Sequence, residues 1–302
     1  MTQKTRNRLF ALFILTLPFV FFFAFLPSEL VGPLPPIRPL PNPNGYDDLV
    51  KAGGMVSTNS WNYDSASLEQ LRKTTAANAQ ALALARAGLS NECRVPVQFS
   101  QAYIETRTSG LVSIRKLAQA FVTEGRLAEM ENRPNDAAKS YSDAIHSGIE
   151  SARGGVLIDQ MVGMAVETVG TSHLQNLVDQ LDAKSCRETA ATLETLDEQR
   201  QSWDEVMRQE NNWSRRTFTG IRYDIMRLMG RKSMEKAFQK AGQKFQDQQL
   251  KTRQLTLDLA ARGCELDKGK QPASLEDLVP DYLKVIPQDP FTGTNMVYSP
   301  SQ

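Results

Sequence analysis

The sequence predicts a mainly α-helical protein held at a membrane: an N-terminal transmembrane helix, a Pro-rich linker, an α-helical domain with repeat-like hairpins, and a small α/β, turn-rich cap at the C terminus. Three observations predict it. An uncharged run, "LFALFILTLPFVFFFAFL", fills the eighteen positions from Leu9 to Leu26. Through the middle of the chain apolar residues recur three and four places apart, the period of an amphipathic helix. The final stretch, "IPQDPFTGTNMVYSP", replaces that period with Pro, Asp and Gly, which are turn formers. With 302 residues, 41% hydrophobic and 23% charged, the chain can bury one large core or two modest ones.

The apolar run is nearer the ~20 residues of a bilayer-spanning helix than the roughly 7–15 of a signal-peptide core. No A-x-A-like site follows it, so a retained anchor is expected over a cleaved signal. Lys4, Arg6 and Arg8 precede it, and the positive-inside rule places residues 1–8 in the cytoplasm and everything beyond 9–26 outside. Residues 27–45 contain seven of the fifteen prolines, which bars a regular helix and predicts an extended spacer. A chain so placed has no access to nucleic acid.

Residues 46–250 read as the helical domain. In "SASLEQLRKTTAANAQALALARAG", Ser67 and Gln70 have capping-box spacing, Leu68, Leu71, Thr75, Ala79, Leu82 and Ala85 form the stripe, and Gly88 is a stop signal. "NECRVPVQF" crosses irregularly to a second stripe of Leu111, Ile114, Ala118, Phe121, Gly125 and Ala128. "ENRPND" breaks this before Ala137, Tyr141, Ala144 and Ile145 start a third, predicting a helical hairpin. Gly154 to Leu181 is apolar around most of a helix and predicts a central core helix; Asp159, Glu167 and His173 speak against a second membrane span. "SCRE" at Ser185–Glu188 has capping-box spacing and opens a helix running towards Trp203. From 213 to 253, eleven Lys or Arg stand against Asp224, Glu235 and Asp247, a balance of +8 in a chain of net charge +1. Arg222, Arg227 and Arg231 represent this basic face, a candidate surface for a partner or for anionic headgroups, or a solvated face that balances the acidic remainder.

No P-loop, G-x-G-x-x-G or G-x-S-x-G is present, and no cofactor is expected. The catalytic candidates are Glu198, Glu205 and Glu210 around Trp203 and Trp213; Glu198 and Glu205 lie seven apart and so share a helix face, where each carboxylate can shift the other's pKa. His146 and Glu150 have two-ligand spacing but lack the further ligands a metal requires. Cys93, Cys186 and Cys264 have no metal spacing; one disulfide with a free third thiol, or three buried thiols, are both open.

Two resemblances follow from quoted residues. Phe121, Gly125, Ala128, Ala137, Tyr141 and Ala144 resemble one tetratricopeptide repeat, which implies two closely packed antiparallel helices and makes Phe121, Gly125 and Tyr141 the hairpin-packing residues behind any partner groove. In residues 251–302, a helix from Lys251 to Cys264 precedes Pro272, Leu275, Leu278, Val279, Tyr282, Leu283, Pro287, Asp289, Pro290, Gly293 and Tyr298, an order similar to the C-terminal loop of type II secretion pseudopilins. That resemblance implies a small sheet and, at Asp281 and Asp289, a place for calcium. The N terminus lacks the prepilin-peptidase site of that family, so filament assembly is not implied. The whole design is similar to single-pass, membrane-anchored bacterial proteins of the inner membrane with a "DPFTG" cap. The expected role is a periplasmic scaffold or protein-binding module, probed against two alternatives: an accessory component of an envelope or secretion complex, and a hydrolase using the carboxylates near Trp203.

Overall fold

The computed structural model describes residues 34–57, 65–219 and 221–297, and of 221–231 it describes the helix alone. The expected span 9–26 lies outside the described residues, as does Tyr298. Among the described residues no helix is long and apolar enough to cross a membrane. Their architecture is mainly α-helical: α1 (Gly45–Met55), α2 (Leu68–Leu89), α3 (Tyr103–Met130), α4 (Pro134–Ala152), α5 (Leu157–Gln175), α6 (Ala183–Glu198), α7 (Trp203–Thr217) and α8 (Ile221–Lys268), with short 3-10 turns at Val178–Gln180 and Leu275–Leu278.

The amino-terminal half packs around α3. Asn44 caps α1 and also clasps the backbone of Arg94, donating to its carbonyl and accepting from its N–H at 2.9 Å each. The expected capping box at Ser67 and Gln70 is formed. Gly88 does not stop α2, which continues to Leu89; a Cβ on Gly45 would fall 2.1 Å from the Gly88 carbonyl oxygen, so these glycines let α1 and α2 cross in contact. The buried line of α2 is Leu71, Thr74, Asn78, Leu82 and Ala85, while Ala79 is exposed. Asn78 is tolerated inside because its side-chain oxygen accepts from Ser57 N–H at 2.9 Å.

The expected hairpin is α3 and α4. Asn132 turns the chain with φ of 57°, Pro134 opens α4, and Arg133 N–H closes on the Ala128 carbonyl at 2.8 Å. Helix α5 is the expected central helix. A Cβ on Gly148 would lie 2.7 Å from the Gly163 carbonyl oxygen, and one on Gly170 2.8 Å from that of Tyr141. The two α5 glycines, seven apart, thus seat it against α4.

Helices α6 and α8 enclose the main core with α4. Leu193, Leu196, Leu255, Leu259 and Cys264 meet Tyr141 and Ile145 there, and the cap contributes Leu275, Leu278, Tyr282, Leu283 and Met296. Helix α8 is 48 residues long, about 70 Å at ~1.5 Å per residue, and runs unbroken through 250 and 251, the division expected between domain and cap.

Three further expectations are corrected. Helix α6 is capped by Asp182, which accepts from Ser185 N–H at 2.7 Å, so "SCRE" lies inside the first turn and does not start it. The helix ends at Glu198 rather than running on towards Trp203, and Ser202 caps a new one. The cap is not α/β among the described residues: it holds a single antiparallel bridge, Gln288 to Asn295, and no strand. Pro287 and Pro290 flank that bridge without backbone N–H groups, which denies a ladder its donors.

Candidate functional site

The three candidate carboxylates are separated by the helix break. Glu198 ends α6 and pairs at 3.2 Å with Lys284 of the cap. Glu205 is the third residue of α7 and accepts from Ser202 N–H at 3.0 Å, completing a capping box. Glu210 accepts from Leu157 N–H at 2.8 Å and so satisfies an open donor at the start of α5; burial raises its pKa, with nearby Asp159 adding to the rise and the Leu157 bond opposing it. Glu198 and Glu205 therefore share no helix face, and each of the three serves a different helix end.

The charged residues brought together inside are others. Glu167, 1% exposed, receives Arg200, and Thr252 Oγ1 donates to it at 2.8 Å. Arg200 also reaches Asp197, which Arg253 holds at 2.7 Å. This network ties α5, the α6–α7 junction and α8 together. A second buried pair, Arg107 Nε to Asp159 at 2.6 Å, joins α3 to α5, with Tyr46 and Tyr103 hydroxyls around it. The signal for both was in the sequence, since Asp159 and Glu167 are eight apart in a helix apolar around most of its circumference and demand buried partners. Beside the first network an open depression of about 310 Å3, solvent mouth included, is lined by Gly148, Ala152, Arg153, Met164, Glu167 and Arg200. Its polar groups are already spent: Arg153 on Glu150 and the Gln199 carbonyl, Arg200 on Glu167, Gln201 on Gly154 N–H.

Among the described residues no three His, Cys, Asp or Glu side chains gather as a metal site. Glu150 is engaged by Arg153 at 2.8 Å, and burial lowers the pKa of neighbouring His146. Asp281 is exposed on its turn. Asp289 Oδ1 accepts from Phe291 N–H at 2.7 Å and Thr292 N–H at 3.3 Å, which holds the "DPFTG" turn with Gly293 at φ of 71°. All three cysteines are free and buried.

Phe121, Gly125 and Tyr141 are buried in the hairpin, so they shape it from within. For Arg222, Arg227 and Arg231 the helix is described and the side chains are not; α8 sets 227 and 231 one turn apart, with 222 about 140° around the axis from 227.

The cap carries exposed apolar side chains on a fastened backbone, and periodicity could not reveal them. Glu194 of α6 accepts from Lys284 N–H at 2.9 Å and from Val285 N–H at 3.5 Å, Gln246 donates to the Pro290 carbonyl at 3.0 Å, and Arg253 donates to that of Gln288. On this pinned backbone Val285, Phe291 and Val297 are 62%, 46% and 83% exposed. Comparison of the chain with family models, with curated proteins and with solved structures gave no match.

Proposed function

We propose that this chain is a membrane-anchored scaffold that binds a protein partner on the far side of the membrane from its amino terminus, through its C-terminal cap. The supporting observation is the exposure of Val285, Phe291 and Val297 on a segment fastened by Glu194, Gln246 and Arg253. A pre-ordered backbone loses little entropy on docking, and apolar anchors left in water by the folded chain regain burial when a partner covers them. A place in an envelope or secretion complex is one form of this role. The hydrolase alternative has no such support, because Glu198, Glu205 and Glu210 are committed to Lys284, Ser202 and Leu157.

The test is site-specific photo-crosslinking of the full chain in its native membranes. A crosslinker at Phe291 is expected to give one discrete adduct, absent when the crosslinker sits at exposed Thr192 on α6, and lost in Val285→Asp. Since Val285 is exposed, that variant keeps its helical circular dichroism. No adduct at 291, or equal adducts at both positions, would sink the proposal.

A further inference from the structure

We propose that the first half of α8 lies on the anionic headgroup surface of the membrane that anchors this chain. The proposal rests on the reading of 9–26 as a retained span. It begins with a tether. The apolar run ends at Leu26, and nine residues later the Pro35 carbonyl accepts from Arg216 Nη2 at 2.7 Å; a second linker carbonyl, Pro39, accepts from Arg94 Nη1 at 2.6 Å. Nine residues extend at most about 30 Å. Arg216, in the last turn of α7, therefore stands within that distance of the bilayer edge. Its position is fixed by the body: its guanidinium covers Phe99 at 5.2 Å, and Trp213, one turn earlier, donates to the Gln98 carbonyl at 2.9 Å. Helix α8 starts five residues further on, in the same zone.

The segment placed there is basic. From 213 to 244 nine Lys or Arg face Asp224 and Glu235, a balance of +7. Lys232, Lys236, Lys240 and Lys244 are all exposed, each four residues from the next, and Met234 is exposed as well. Among the side chains described on α8, from Lys232 onward, burial begins at Ala241, Gly242 and Phe245, where Trp203 packs. At helical spacing Lys232, Lys236, Lys240 and Lys244 fall within an arc of about 120°, on one side of the helix. A helix with its lysines along one side can lay them against an anionic surface. A second copy would set +7 against +7. Anionic lipid supplies the opposite charge, each basic residue near it raising surface affinity roughly fivefold.

The full chain, labelled with a fluorophore at Gln239→Cys and placed in nanodiscs carrying a headgroup-attached quencher, tests this. Discs of phosphatidylcholine alone are compared with an equal mixture of phosphatidylcholine and phosphatidylglycerol. Quenching at 239 is expected to be several-fold stronger in the anionic discs, to weaken with added salt, and to disappear in Lys232→Glu/Lys236→Glu/Lys240→Glu, all exposed positions. A label at Lys270→Cys, just past the end of α8 and about 45 Å from 239 by the helical rise, is expected to stay unquenched. Co-elution with the discs reports the anchor separately. Co-elution with equal or absent quenching in the two lipids, as an acidic protein partner predicts, overturns this inference alone; failure to co-elute overturns the anchor and the inference together.

Discussion

The ring of Tyr141 occupies the place where a side chain on Gly125 would be: a Cβ there would lie 2.4 Å from Cε1 and 2.7 Å from Cζ. The ring cannot retreat, because its other face stacks on His173 at 5.0 Å and its hydroxyl is held by Glu129. Gly125→Ala is therefore expected to cost about 1–3 kcal/mol by overpacking, read as a lower denaturation midpoint. Tyr141→Leu removes the clashing atoms, so the double variant should lose less than the sum of the two single losses. Strict additivity would mean that the hairpin adjusts elsewhere.

Arg200 and Glu167 are 6% and 1% exposed at their side chains, so neither can turn to water if the other is removed. Glu167→Gln is expected to destabilise by about 3–5 kcal/mol, whereas Glu167→Met/Arg200→Met, which buries no charge, should recover most of that loss. Asp197 keeps Arg253 in the double variant. Chemical denaturation of the two variants beside the wild type measures both losses, and a Glu167→Gln variant near wild-type stability would refute the buried-charge account.

The helices were legible wherever an apolar period ran without interruption. Ile114, Ala118 and Phe121, then Ala137, Tyr141, Ala144 and Ile145, are all buried as their spacing predicts. The break after Glu198 was legible in principle, because Ser202 and Glu205 spell a capping box. The same spacing at Ser185 and Glu188 is a decoy, for Asp182 takes the cap first. What spacing could not supply was pairing across the fold. Nothing local says that Glu167 meets Arg200, that Glu194 fastens the cap, or that Glu198 and Glu210 are taken up by Lys284 and the Leu157 N–H.

Glu194 supplies the acceptors for two adjacent N–H groups of the cap, at Lys284 and Val285. Its replacement by Ala leaves both without a protein partner, a loss of about 1–3 kcal/mol for each that stays buried. Because these bonds join the cap to α6, the effect should be local: faster amide exchange through residues 283–296, with α3 and α4 unchanged. Uniformly faster exchange would mean that the cap and the helices open as one unit.

Burial pushes the Cys93 thiol up to about 12 and the Cys186 thiol up to about 11, and Cys264 is only 1% exposed. A thiol that is both covered and protonated reacts slowly. The native chain should thus show no rapidly labelled thiol, while the denatured chain shows three, with or without prior reductant. A denatured count of one, rising to three after reduction, would reveal a disulfide and contradict the packing.

Glu210 gives a pH dependence whose sign can be worked out. Its pKa in the fold is raised above 4.5 by burial, with Asp159 reinforcing the rise and the Leu157 N–H bond opposing it. The folded chain then holds this proton more tightly than the unfolded chain, so the associated stability is fully present below pH 4.5 and is lost as pH rises through the folded pKa. Gln at this position still offers Leu157 an oxygen but does not titrate. The stability of Glu210→Gln relative to wild type should therefore be lowest in acid, climb as pH rises, and level off once Glu210 is ionised in both states. Denaturation midpoints of the two proteins, taken in steps from about pH 4 to about pH 7, give this difference while cancelling every other titrating group to first order. A difference that does not change with pH would place the Glu210 carboxylate in water; one that falls with rising pH would mean that the N–H of Leu157 outweighs burial.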